Sequence, residues 1–341
     1  MEILQTTFPQ ALLSLIVASI IAIGSVRVSI WLAIRFGLVD EPGSSSHKKH
    51  AQSTPLAGGI SIVLTFIILS ILFPAYFTGE VAAILMATGV VFVFGVVDDA
   101  IGLNAKWKFF GQIAASLLLI TSGVQISFFS WLSADINSVI NLFITVFWLV
   151  GLTNAFNLVD SADGLSLSLA AITCLLLIFA SLISMQDDLV FLAASLLGIT
   201  LGLLLYNLPP AKLFMGDSGV QSMGFFLGAI SILYNPVVQP QEASWFVPIT
   251  LLAVPIFDAG LVIFSRLRSG APLFTADLNH TYHRLSAIGL SHIKILWSMD
   301  MAALFSGAVG LYALYRDPLI ANLIFAGLVM VGVLLIFRIA K

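Results

Sequence analysis

Residues 165–185 read LSLSLAAITCLLLIFASLISM, an uncharged run that opens behind Asp160-Ser161-Ala162-Asp163-Gly164 and closes at Asp187-Asp188. At a helical rise of 1.5 Å, roughly 20 such residues cross about 30 Å of bilayer hydrocarbon. Outward from this run, comparable stretches recur over 9–34, 58–77, 80–97, 109–131, 138–155, 189–206, 219–235, 244–264, 295–314 and 318–338. The sequence therefore predicts an all-α, polytopic membrane bundle of about 11 transmembrane helices, organised as a single integral membrane domain over 1–341. The first stretch follows Glu2 rather than a basic segment and runs past 20 residues without a small-residue cleavage site, so it reads as a retained helix.

Composition agrees with this reading. The chain is 60% hydrophobic and 9% charged, whereas about a quarter of residues are charged in soluble domains. Its 14 Lys and Arg against 17 Asp and Glu give a net charge of -3, which supports neither a basic nucleic-acid footprint nor an acidic tail. Cys174 is the single cysteine, so an internal disulfide, a CxxC pair and a thiolate metal site are excluded.

The bias of Lys and Arg towards cytoplasmic connections sets the expected orientation. Arg35, Lys48, Lys49, Lys106, Lys108, Lys212, Arg266, Arg268, Arg284, Lys294, Arg338 and Lys341 fall in odd-numbered connections or at the C-terminus; the other side holds Arg316, and Arg27 lies within the first stretch. The N-terminus is expected outside and the C-terminus in the cytoplasm.

The acids sort by side as well. Glu80, Asp135, Asp187, Asp188, Glu242 and Asp317 are scattered over the outer connections and read as solvated charges. Asp98, Asp99, Asp160, Asp163 and Asp217 fall on the inner side at helix ends, among Gly, Asn and Ser. Ionisable groups where apolar helices meet water are expensive and mark a functional site. The adjacent carboxylates of Asp98-Asp99 repel one another unless a cation or shared proton relieves them, and a divalent metal is the simplest relief. Asn157, Asp160 and Asp163 recur three apart, as on one face of a helical turn. Phe214-Met215-Gly216-Asp217-Ser218-Gly219 places an acid and a hydroxyl between glycines, where helix-opening N–H groups can meet anions. The inner loops thus cover about 35–57, 98–108, 156–164, 207–218 and 265–294, and together they form the predicted active site.

The first and last of these loops carry the basic groups. Lys48 and Lys49 lie between His47 and His50 in a Pro/Gly/Ser-rich stretch, suited to an anionic ligand or to anionic lipid. The last loop holds Arg266, Arg268, His280, His283 and Arg284. Zinc at the histidine pair is one reading; phosphate or sugar contacts are preferred, because no cysteine and few other strong ligands stand beside it.

Taken together, these segments resemble the polyprenyl-phosphate N-acetylhexosamine-1-phosphate transferase family, glycosyltransferase family 4. The resemblance rests on Asp98-Asp99 with downstream Lys108 and Gln112, on 154–165 (NAFNLVDSADGL), on 214–219 (FMGDSG), and on the histidines of the last loop. It implies transfer of a sugar 1-phosphate, GlcNAc-1-phosphate above others, from a UDP-sugar to undecaprenyl or another polyprenyl phosphate. UMP leaves, and the product is a lipid-linked diphosphate sugar that initiates a cell-envelope glycan such as lipopolysaccharide or another polysaccharide. By the same resemblance Asp217 ligates Mg²⁺, for which Mn²⁺ can substitute. Asp98, with Asp99 beside it, meets the attacking lipid phosphate. Asn157, Asp160 and Asp163 shape the nucleotide and metal side, and Lys108 joins the substrate-binding groups. His280, His283 and Arg266 or Arg268 hold diphosphate or sugar, and Lys48 meets the lipid phosphate. The implied location is the cytoplasmic face of a bacterial membrane, with a homodimer permitted and no nucleic-acid partner.

Departures from the family pattern narrow the reading. His280-Thr281-Tyr282-His283 stands where members commonly show His-x-His-His, and Ser161-Ala162 replaces Gly-Ile or Gly-Leu between the two acids. The absence of a three-histidine run speaks for the GlcNAc-type branch over its alternative, the UDP-MurNAc-pentapeptide transferases of peptidoglycan synthesis. A transporter is the rival from another class, but it should carry mid-membrane charges or an internal repeat; Asp258 and Arg27 are the nearest exceptions to uncharged spans.

Overall fold

A computed structural model describes residues 2–41, 53–127, 133–236, 241–272 and 280–339. Lys48 and the cations beside it lie outside the described residues. The chain runs through α1 (Glu2–Arg35), the strands β1 (Val39–Asp40) and β2 (Thr54–Pro55), α2 (Gly58–Leu72), α3 (Gly79–Ile101), α4 (Ala105–Thr121), α5 (Ala134–Val159), α6 (Leu165–Ile183) and α7 (Asp187–Asn207). It continues through α8 (Gly216–Ile232), α9 (Gln241–Ser244), α10 (Val247–Leu251), α11 (Ala253–Ser269), α12 (Thr281–Ala287), α13 (His292–Ala313) and α14 (Pro318–Ile339).

Each of the eleven apolar stretches carries a helix, but length separates them. Among the described residues seven helices are long and apolar enough to cross a membrane, or eight if the bent run Gln241–Leu251 with Ala253–Ser269 is one broken span. Helix α2 has 15 residues and α4 and α8 have 17 each, which at 1.5 Å per residue reaches only about 22–26 Å. The stops are chemical. After α2 comes Pro74, which disfavours helical backbone at Phe73. α4 ends ten residues before the expected 131, at Thr121, where Gly123 takes φ 93°. The 68° bend falls at Leu252, where Pro255 cannot donate to the Leu251 carbonyl and crowds it.

The core is apolar and continuous, with Phe156, Phe225, Phe226 and Phe246 fully buried. Helix α8 lies inside it, and most of its residues are buried. Its start packs backbone to backbone on α2 and α3. A Cβ on Gly59 would lie 2.6 Å from Ser218 Oγ, and one on Gly95 would lie 2.4 Å from Ser218 Cα. The helix that carries Asp217 is thus seated by glycines on two neighbours. The short strands add to this: β1 pairs antiparallel with β2, and the Ala57 and Gly58 N–H groups donate to the Phe214 carbonyl at 3.1 Å each. The loop before α2 is thereby laced to the loop before α8.

Candidate active site

The ends of α3, α5 and α7, the short helix α12 and the starts of α8 and α13 meet around a cavity of about 880 Å³. Asp98 and Asp99 sit in the last turn of α3. Consecutive residues on a helix point about 100° apart, so the two carboxylates diverge. Asp98, 7% exposed, accepts from the Leu103 N–H at 2.6 Å and pairs with Lys108 Nζ. Asp99 turns to the start of α8, where the Asp217 and Ser218 N–H groups donate to its two oxygens at 2.7 and 3.1 Å. It satisfies helix-opening donors from outside the helix, as a capping side chain does from within. Gly216, at φ 68°, is needed there, because a Cβ would meet Asp99 Oδ2 at 2.7 Å.

Lys108 reaches the site from the first turn of α4. Asn104 caps that helix, its Oδ1 accepting from the Trp107 N–H at 3.3 Å. From there the ammonium bridges Asp98 and Asp217 Oδ2, the latter at 2.6 Å. Three helices therefore converge on one cation.

Asp160 ends α5 and accepts from Ser166 Oγ at 2.6 Å. Part of its surface opens on the cavity, yet it lies deep in the protein, and burial pushes its carboxyl up to about 7. The Ser166 hydroxyl opposes that rise, and the nearby charges of Asp217 and Asp163 add to it. Asn157, Asp160 and Asp163 all line the cavity, although Asp163 stands on the turn after α5 rather than on its helical face. Asn207 holds that turn: Gly164 N–H donates to its Oδ1 at 2.9 Å, and its Nδ2 donates to the Leu213 carbonyl at 3.0 Å.

The last loop contributes a wall of rings. Tyr282, His283 and His292 line the cavity with Ser286. Tyr282 Oη lies 3.2 Å from His292 Nδ1, and the His283 and Tyr282 ring centroids are 5.4 Å apart. His280 stands behind this wall, its ring 6.1 Å from that of His283. Its Nδ1 is 3.0 Å from Asp258 Oδ2, while Thr281 N–H donates to Asp258 Oδ1 at 2.7 Å.

The structure thus brings Asp98, Asp99, Asn157, Asp160, Asp163, Asp217 and His283 to one cavity, with Lys108 inserted between two of them. His280, Arg266 and Arg268 are not among its lining. Arg266 is buried and Arg268 is exposed; two positions apart on α11, they face nearly opposite ways. Sequence reasoning missed His292, whose place at the start of α13 behind Ser291 carries no motif. Asp258 had a signal as the acid inside an apolar stretch, but nothing near it in sequence named His280 as its partner.

Membrane-length helices around a chamber of carboxylates, braced by Lys108 and walled by the rings of Tyr282, His283 and His292, define an integral membrane protein whose chamber suits a polar, charged ligand. The chain belongs to glycosyl transferase family 4, whose sequence profile matches residues 81–235. It is 33% identical over 274 residues to a probable undecaprenyl-phosphate N-acetylglucosaminyl 1-phosphate transferase of Bacillus subtilis (strain 168), covering 76% of this chain and 73% of that one. It is 34% identical over 302 residues to the decaprenyl-phosphate N-acetylglucosaminephosphotransferase of Mycolicibacterium smegmatis, covering 80% and 73%. A phospho-N-acetylmuramoyl-pentapeptide-transferase of Staphylococcus aureus (strain JH9) is 28% identical over 328 residues, covering 89% and 98%.

Proposed function

We propose that the protein transfers N-acetylglucosamine 1-phosphate from UDP-GlcNAc to a polyprenyl phosphate such as undecaprenyl phosphate, releasing UMP. The observation that carries this reading is the Lys108 ammonium held between Asp98 and Asp217 in a chamber whose family relatives bear that activity in their names. Greater identity to the GlcNAc-type relatives than to the muramoyl-pentapeptide relative favours the first donor.

Phosphoryl transfer depends mainly on in-line positioning and on neutralising charge. In the proposed reaction an oxygen of the lipid phosphate attacks the sugar-bearing phosphorus of the donor. The bond from that phosphorus to the bridging oxygen breaks, and UMP leaves with the electron pair. The bond from sugar carbon to oxygen is untouched. Lys108 neutralises phosphate oxygens, Asp98 orients the attacking phosphate, and Asn157, Asp160 and Asp163 shape the nucleotide side. The rings of Tyr282, His283 and His292 face the uncharged part of the donor. A lipid phosphate is already ionised near neutral pH, so direct displacement needs no strong base.

Mg²⁺ is part of this proposal, with Asp217 as its ligand. Among the described residues no group of three His, Cys, Asp or Glu side chains forms a ready-made metal site. Mg²⁺ does not require one, since it takes one or two carboxylates and completes its shell with water and substrate phosphate. The all-oxygen donor set of Asp217, Asp98 and Asn157 fits that preference. When bound, the ion neutralises diphosphate charge. All eleven apolar stretches would enter the membrane, with the N-terminus outside and the chamber on the cytoplasmic face; the lysine and arginine distribution supports this.

The test is UMP release by purified protein with undecaprenyl phosphate and Mg²⁺, comparing UDP-GlcNAc, UDP-GalNAc and UDP-MurNAc-pentapeptide. Lipid- and metal-dependent release, fastest with UDP-GlcNAc and lost in Asp217→Asn, is expected. A folded sample that turns over none of these donors contradicts the proposal, and preference for the pentapeptide donor moves the protein to the other branch.

A further inference from the structure

One turn below the Lys108–Asp217 ion pair, the same two helices make a second contact. Lys108 and Gln112 are four apart on α4, and Asp217 and Gln221 are four apart on α8, so each pair shares a helix face. Gln112 Nε2 donates to Gln221 Oε1 at 3.0 Å. From α5, Asn154 Nδ2 donates to Gln112 Oε1 at 2.7 Å and to the Val150 carbonyl at 2.7 Å. Gln221 Nε2 is buried with no hydrogen-bond partner among the described residues, and the Gln221 side chain lies close enough to the Asp217 carboxylate to favour its charged form.

The direction of this chain follows from its Val150 end. The Val150 carbonyl can only accept, so Asn154 turns its NH₂ that way and offers the second hydrogen to Gln112. Gln112 must then present oxygen to Asn154 and nitrogen to Gln221, which accepts with its oxygen and so keeps its own nitrogen for the Asp217 side. Asn154 and Gln112 both donate in the direction of Asp217, an arrangement in which the bonds polarise one another. Gln112 and Gln221 are 1% and 2% exposed, and none of the three amides lines the cavity. Buried amides among apolar helices are costly unless paired. If packing were their only task, apolar side chains would serve.

We propose that the relay Asn154–Gln112–Gln221 is a positioning device that fixes the Asp217 carboxylate, so that Gln112, remote from every ligand, sets the divalent-cation affinity of the site. This rests on the reading that Asp217 holds the cation. Partners that orient a metal ligand typically change affinity or activity 10–100-fold when removed.

The test is Mn²⁺ binding by electron paramagnetic resonance on the full-length protein in detergent, for the native chain, Gln112→Leu, Gln221→Leu, Asn154→Ala and Asp217→Asn. Asp217→Asn should abolish binding. Gln112→Leu should weaken it on the order of 10–100-fold, with the KM for the sugar nucleotide at saturating Mg²⁺ unchanged. The double variant Gln112→Leu/Gln221→Leu should be no weaker than the worse single one, because links in series do not add. Should Gln112→Leu fail to fold, Asn154→Ala tests the same chain and should weaken Mn²⁺ binding too. Native Mn²⁺ affinity in the folded relay variants, alongside loss in Asp217→Asn, overturns the relay and leaves the metal reading standing. Absence of an Asp217-dependent Mn²⁺ signal in the native chain overturns both.

Discussion

At the chamber, the starts of α8 and α12 are each received by a carboxylate from another helix. At α8, Asp99 of α3 accepts from the Asp217 and Ser218 N–H groups. At α12, Asp258 of α11 accepts from the Thr281 N–H and holds the His280 ring. The anchors are alike, but their settings differ. Helix α8 is also locked by backbone contact through Gly59 and Gly95 and backed by the buried amides. Helix α12 has seven residues and is otherwise tied by Arg284, which donates to the Ile339 carbonyl at 2.7 Å and to Ser265 Oγ at 2.8 Å. On the proposed function the contrast is a division of labour: the side that would meet phosphate and cation is locked by backbone contact, and the side that would meet the rest of the donor hangs on a few side-chain bonds.

The largest expected effect breaks the rigid side. In Gly95→Val the new side chain starts 2.4 Å from Ser218 Cα, and backbone cannot step aside. Displacing α8 by as little as ~1 Å should lower UMP release by roughly 100-fold or more. A variant within threefold of the native rate would show that α8 needs no such seat.

A smaller effect is expected at the hinged side. Asp258→Ala should slow turnover on the order of tenfold, the size of one lost hydrogen bond, acting through His280 on His283. His280→Ala should have a similar effect, and the double variant should be little worse than either single variant. Full additivity in a double-mutant cycle would separate the two residues.

The smallest effect sharpens the electrostatics between the two sides. The chamber favours the protonated Asp160 carboxyl, raised to about 7. The folded state then binds a proton that the unfolded chain has already released, so this group's contribution to stability falls as pH climbs from the ordinary carboxylate range towards 7. Asp160→Asn lacks that slope. Its melting temperature relative to the native chain should rise between pH 5 and pH 8, and a constant difference would contradict the assignment.

Much of this division was legible in the sequence, and the remainder has physical causes. Hydropathy located every helix-bearing apolar stretch, but it does not sense where Gly123 ends α4 or how Pro255 breaks the run through Leu252. The acids of the chamber stood out because carboxylates are rare beside apolar helices. Asp98-Asp99 looked like a pair sharing one cation, but helical geometry sends one residue to Lys108 and the other to the α8 backbone. Long-range partners left no local trace: His280 with Asp258, Tyr282 with His292, and Gln112 with Asn154 are brought together only by packing.

In the proposed reaction the chamber joins two phosphates and expels a nucleoside monophosphate. The most direct test of this uses UDP-GlcNAc radiolabelled at the sugar-bearing phosphorus, with the purified protein, undecaprenyl phosphate and Mg²⁺. The label is expected to move into the lipid phase while unlabelled UMP appears in equal amount, and Lys108→Met is expected to suppress both. Label recovered in UDP or free phosphate, or UMP released without lipid, would contradict it.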